Sequence, residues 1–80
     1  MSKIVIIGYG YMGNLYRETF SSLGYSDISI IDPKKNIRDG FYNDLYEFWE
    51  ENITIEECYY FVCSPASTHE YYLCLLLYNN

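Results

Sequence analysis

Basic residues are scarce in this 80-residue chain: five Lys and Arg stand against eleven Asp and Glu, a formal net charge of −6. A surface with that balance repels phosphate backbones, which argues against a broad nucleic-acid footprint. It has no attraction for anionic lipid either. No stretch approaches the ~20 apolar residues that span a bilayer. The opening run Ile4 to Ile7 is too short for a signal-peptide core, and Gly8 breaks it, so a cytoplasmic location is expected. The three cysteines, Cys58, Cys63 and Cys74, contain no C-x-x-C pair. They read as reduced, buried thiols rather than a disulfide frame, and with the single histidine, His69, they lack metal-ligand spacing. Linkers, internal repeats and low-complexity segments are also missing. What remains is one domain, 1–80, and a chain this short buries only ~60% of its extended surface.

Half of the residues are hydrophobic and a fifth are charged, a globular composition. Lys3 to Ile7 is a continuous apolar, β-branched run, as suits a parallel strand covered on both faces. From Met12 a helical period begins, with Met12, Leu15, Tyr16, Thr19, Phe20 and Leu23 on one side and Asn14, Arg17, Glu18 and Ser21 on the other. Gly24 stands where a left-handed helix end belongs. Ile28 to Ile31 is a second strand, closed by Asp32-Pro33. Strand, glycine turn, helix and strand make a βαβ unit with a right-handed crossover.

Lys34 to Gly40 is polar and aperiodic, a loop. Phe41-Tyr42 fits a very short strand. Asp44 starts a second helix, with Glu47 completing a capping box and Leu45, Phe48 and Trp49 as the apolar stripe. Ile53 to Glu57 is a connection, and Cys58 to Cys63 is a strand. After the turn Ser64-Pro65-Ala66, Ser67 is placed to cap a last helix, with Glu70 as its box partner. That helix, Thr68 to about Tyr78, is apolar around its circumference, a pattern normally buried on every side. The elements predict a parallel Rossmann-like sheet of about three to four strands in the order 3-2-1-4, with the third strand very short or absent.

Gly8-Tyr9-Gly10-Tyr11-Met12-Gly13 is G-x-G-x-x-G, following a strand and opening a helix, the context its mechanism requires. Gly8 permits the tight turn, Gly10 lets a pyrophosphate approach the backbone, and Gly13 lets the helix lie close to the strand. The N–H groups of the first helical turn then face the anion. Asp32 lies nineteen residues after Gly13. A carboxylate there accepts hydrogen bonds from ribose hydroxyls and repels a 2'-phosphate, favouring NAD, while Lys34 and Lys35 keep NADP open. The plainer alternative is a strand-to-helix turn with Asp32 capping a loop. No Gly-Lys-Ser/Thr follows, which argues against a mononucleotide P-loop. Ser64 and Pro65, at the end of another strand, line the same crevice if that strand neighbours the first; equally, they are a proline turn before a helix. His69 suits either a proton-transfer or substrate role or a surface position.

The segments "KIVIIGYGYMGNLYRETF", "IIDP" and "YYFVCSPASTHEYYLCLLL" together resemble the amino-terminal domain of the Gfo/Idh/MocA oxidoreductases, which include glucose-fructose oxidoreductase and inositol 2-dehydrogenase. Ser64-Pro65 stands for that family's Thr-Pro, and His69 for the histidine that follows it. The resemblance implies NAD(P) binding and hydride transfer on a sugar or polyol. It implies cofactor contacts from Gly8, Gly10, Tyr11, Met12, Gly13, Asp32, Ser64, Pro65 and His69. The family continues into a Glu-Lys-Pro strand end with a catalytic lysine and a large substrate domain, neither present here. The expectation is an incomplete dinucleotide-binding domain, inactive by itself, whose apolar last helix and open sheet edge associate into a homo-oligomer or meet a missing carboxy-terminal domain. The alternative is a stand-alone nucleotide-binding or protein-interaction module.

Overall fold

A computed structural model describes residues 3–34, 39–51 and 58–78. Strands β1 (Lys3–Ile7), β2 (Ile28–Ile31), β3 (Phe41–Tyr42) and β4 (Cys58–Val62) form one parallel sheet in the order β3-β2-β1-β4. This is the predicted order, with the predicted two-residue third strand. β1 pairs Ile4 with Ile28 on one side and with Tyr59 on the other. The predicted strand Cys58 to Cys63 ends at Val62, although the Cys63 N–H still donates to the Ile7 carbonyl at 2.7 Å. Lys35, the predicted connection Ile53 to Glu57, and the end of the chain after Tyr78 lie outside the described residues.

Helices α1 (Tyr11–Ser22), α2 (Leu45–Glu51) and α3 (His69–Tyr78) cover the sheet on both faces. Side chains alternate along a strand. Ile4 and Ile6 therefore join Ile30 and Phe41 on the α1 side, where Tyr16, Phe20 and Phe61 close the cluster. Val5 and Ile7 join Ile31, Leu45 and Phe48 on the other side, with Tyr72, Leu75 and Leu76 of α3 packed against them. Every residue from Ile4 to Ile7 is buried, which explains why β1 reads as a continuous apolar run.

α1 ends as predicted. Gly24 takes φ +98°, its N–H donates to Ser21 O at 3.1 Å, and the Tyr25 N–H donates to Phe20 O at 3.0 Å. That pair of bonds is a Schellman end, and the Phe20 and Tyr25 rings, 5.7 Å apart, supply its apolar contact. The predicted face of α1 is corrected. Gly13, Tyr16 and Phe20 meet the sheet, whereas Met12, Leu15 and Leu23 are exposed. The cause is Gly13, whose missing Cβ brings that side of the helix against the strand and rotates its neighbours outward.

At α2, the Glu47 N–H donates to Asp44 Oδ1 at 2.8 Å, and the Glu47 carboxylate reaches back to the Asn43 N–H at 3.3 Å. The box therefore closes on Asn43 rather than on the Asp44 amide. Before α3, a single 3-10 turn (Ala66–Thr68) replaces the predicted Ser67 cap. Thr68 closes that turn, its N–H and its hydroxyl both donating to the Pro65 carbonyl, at 2.8 and 2.7 Å. No residue of α3 is fully buried, because the sheet covers only its Tyr72, Leu75 and Leu76 side.

Candidate functional site

Three turns meet at the carboxyl ends of β1, β2 and β4 and enclose a cleft of about 580 Å³. The first is the glycine turn. Gly8 has φ +97°, a conformation that favours glycine, and a Cβ there would come within 2.6 Å of the Ser64 nitrogen. The turns after β1 and β4 are thus in direct backbone contact. A Cβ on Gly13 would fall 1.9 Å from the Gly8 carbonyl oxygen, so the start of α1 is pressed onto the turn beneath it. Gly10 is the opposite case: nothing lies within 4 Å of where its Cβ would be, and it lines the cleft.

Gly10 is also the N-cap of α1, and no side chain caps that end. The first helical turn holds no acidic residue. The N–H groups of Tyr11, Met12 and Gly13 have no partner one turn back, so this end of the helix carries the positive pole of its dipole with no side-chain cap.

Asp32 faces that pole from the end of β2. Its Oδ2 accepts the Tyr9 N–H at 2.8 Å and its Oδ1 accepts the Lys34 N–H at 2.9 Å. Two backbone amides therefore hold the carboxylate in one orientation, and each oxygen keeps a lone pair for another donor. Tyr9 also lines the cleft. Its hydroxyl donates to Asn14 Oδ1 at 3.1 Å and accepts from the Arg17 guanidinium at 3.3 Å, and its ring meets Phe41 edge-on at 5.2 Å.

The third turn follows β4. The Thr68 hydroxyl donates to Pro65 O, so the Ser64 hydroxyl, 2.6 Å from Thr68 Oγ1, is the donor in that bond. Ser64 Oγ thus has only acceptor capacity left for the cleft. The His69 Nε2 lies 2.8 Å from the Ser64 carbonyl, which only accepts, so Nε2 carries the proton.

Gly8, Gly10, Tyr11, Met12, Asp32, Ser64 and Pro65 are brought together along one cleft, with Gly13 buried beneath it. His69 is not part of the lining; it braces the Ser64 turn from behind. The cleft also includes Tyr9, Ile31, Pro33, Lys34, Cys63, Thr68 and Tyr72, which the sequence did not assign to it. Thr68 and Tyr72 lie four residues apart, a spacing that puts both on one helical side. That spacing was the available signal. Burial pushes the Cys63 thiol up from its ordinary value, which keeps it protonated and poorly nucleophilic. Burial likewise raises the Tyr72 phenol, with Tyr71 and the Asp32 and Asp44 carboxylates adding to the effect, so it remains a hydroxyl.

Among the described residues, no three His, Cys, Asp or Glu side chains gather as a metal site, and no helix is long and apolar enough to cross a membrane. Comparison with protein-family models, with curated proteins and with solved structures gives no match for this chain.

Proposed function

We propose that the cleft binds a nicotinamide dinucleotide, NAD(H) in preference to NADP(H), and that the chain is the cofactor-binding part of a Gfo/Idh/MocA-like oxidoreductase acting on a sugar or polyol. One observation carries the cofactor reading. The uncapped start of α1, open at Gly10, faces a carboxylate held by two backbone amides across the same cleft. A pyrophosphate needs the first and an adenosine ribose needs the second. The residues present fit the cofactor. The space at Gly10 is where a Cβ would obstruct a phosphate, and Ser64 Oγ offers an acceptor to a hydroxyl donor.

In this reading Tyr11, Met12 and Gly13 bind the pyrophosphate through their N–H groups. Asp32 orients the ribose and disfavours a 2'-phosphate. Ser64 and Pro65 line the far side, and His69 positions that turn through its carbonyl. The dinucleotide supplies hydride transfer when bound; the described residues bind and orient it. The wider family reading rests on the sequence resemblance.

Calorimetric titration with NADH tests the proposal. Asp32→Ala removes a hydrogen bond to a charged group, about 1.5–3 kcal/mol, so affinity falls roughly 10- to 150-fold. Equal NADH affinity for both proteins overturns the role of Asp32. Absence of any NADH binding by the unmodified chain overturns the cofactor reading. Dehydrogenase turnover by the 80-residue chain on sugars or polyols would show that the family's lysine segment is dispensable here.

A further inference from the structure

We infer that Thr68 is a positioning residue of the cleft: its hydroxyl fixes Ser64 as a hydrogen-bond acceptor, so that the β4 side takes a ribose hydroxyl and rejects a phosphate. The inference rests on the dinucleotide reading and adds to it a reason for choosing a dinucleotide over a nucleoside triphosphate.

The row of hydroxyls has one direction. A carbonyl only accepts, so the Pro65 oxygen, 2.7 Å from Thr68 Oγ1, takes the single proton of the Thr68 hydroxyl. Thr68 Oγ1 then has only lone pairs for Ser64 Oγ, 2.6 Å away, and the Ser64 proton is committed to it. Each hydroxyl in such a row polarises the next, which strengthens Ser64 as an acceptor. The backbone at both ends is pinned: the Thr68 N–H holds the Pro65 carbonyl at 2.8 Å, and His69 Nε2 holds the Ser64 carbonyl at 2.8 Å. A serine by itself does not make this choice, because a free hydroxyl rotates to suit either kind of partner. Thr68 removes that freedom, and both residues line the cleft.

The sheet decides which part of a ligand meets Ser64. Asp32 follows β2, the glycine turn follows β1 and Ser64 follows β4, with β1 in the middle. Neighbouring strands lie about 4.8 Å apart, so the ends of β2 and β4 are separated by about 10 Å. A ligand with one ribose at Asp32 and two phosphates at the start of α1 therefore reaches Ser64 with whatever follows the second phosphate. In a dinucleotide that is another ribose, whose hydroxyls donate. In ATP it is a third phosphate, whose ionised oxygens accept and meet only the lone pairs of Ser64. A site built to hydrogen-bond one group discriminates against a ligand that lacks it.

Calorimetric titrations with NADH and with ATP, on the unmodified chain and on Thr68→Val, test the inference. Valine keeps the branched shape, and the N–H of residue 68 still closes the turn on Pro65, but the Ser64 proton is released. The ratio of NADH to ATP affinity is expected to fall about tenfold, from a weaker hydrogen bond to the ribose and a new one to the phosphate. Thr68→Ser brings the hydroxyl back without the branch and restores the ratio, which a role in packing alone would not do. Ser64→Ala lowers NADH affinity severalfold and does not lower that for ATP. An unchanged ratio in Thr68→Val overturns the inference and leaves the cofactor reading standing, whereas no NADH binding by the unmodified chain overturns both. Should Thr68→Val fail to fold, Ser64→Ala decides: unchanged NADH affinity, or a loss of ATP affinity, means that Ser64 is not the acceptor described.

Discussion

At the scale of single residues, the three glycines of the turn do different jobs, and the same substitution separates them. Gly10→Ala meets open space, and the position has φ −87°, ordinary for any residue. Its melting temperature is expected to stay near that of the parent while NADH affinity drops, since the new methyl group occupies the approach to the helix end. Gly13→Ala meets the Gly8 carbonyl and must push the turn off the helix. Overpacking of that kind costs about 1–3 kcal/mol. In a domain of this size each kcal/mol lowers the melting temperature by about 4–8 °C. Thermal melts beside NADH titrations of both variants check the assignment. A Gly10→Ala protein that binds NADH normally removes Gly10 from the cofactor path.

At the scale of elements, α2 is short and owes its existence to its two ends of contact. The Asp44 carboxylate caps the first turn, and Leu45 and Phe48 are buried against β1 and β2. Loss of the cap in Asp44→Ala is expected to cost about 1 kcal/mol. Phe48→Ala leaves a cavity in the same cluster and costs about 3–5 kcal/mol, a large part of the ~5–15 kcal/mol that holds a domain together. Chemical denaturation of the two variants should therefore separate them clearly, and a small effect for Phe48→Ala would mean that the α2 face of the sheet is not the core described. α3 makes the contrast. Its Tyr72, Leu75 and Leu76 side touches the sheet, yet Leu73 and Leu77 are exposed, so its periodicity is apolar without being amphipathic.

For the whole molecule, the half-buried thiols and phenols set a direction for alkaline stability. Burial raises Cys58 and Cys63 from 9.0, and Tyr60 and Tyr72 from 10.0, with the Tyr60 bond to Cys58 and the Trp49 bond to Tyr60 partly opposing burial at Cys58 and Tyr60. The unfolded chain gives up these protons first, so ionisation favours unfolding. Stability is retained below the ordinary values and falls as pH rises through the higher folded ones. Thermal melts from pH 8 to 11, which should show the midpoint decline beginning near pH 9, check this; a flat midpoint would place these side chains in water.

What the amino-acid order determined by itself was local. The buried run of β1, the turn at Gly8, the Schellman end at Gly24 and the cap at Asp44 each depend on residues within a few positions of one another, and short-range sterics and hydrogen bonds suffice for them. The sheet order followed as well, since parallel strands joined by right-handed crossovers leave few arrangements. Packing between distant elements decided the rest. Met12 and Leu15 belong to the helical stripe by spacing, but the contact of Gly13 with Gly8 turned them outward. Tyr72 entered the cleft because α3 returns across the sheet toward Asp32. Spacing along a chain fixes which residues share a side of a helix, but only the neighbours brought by folding determine what that side faces.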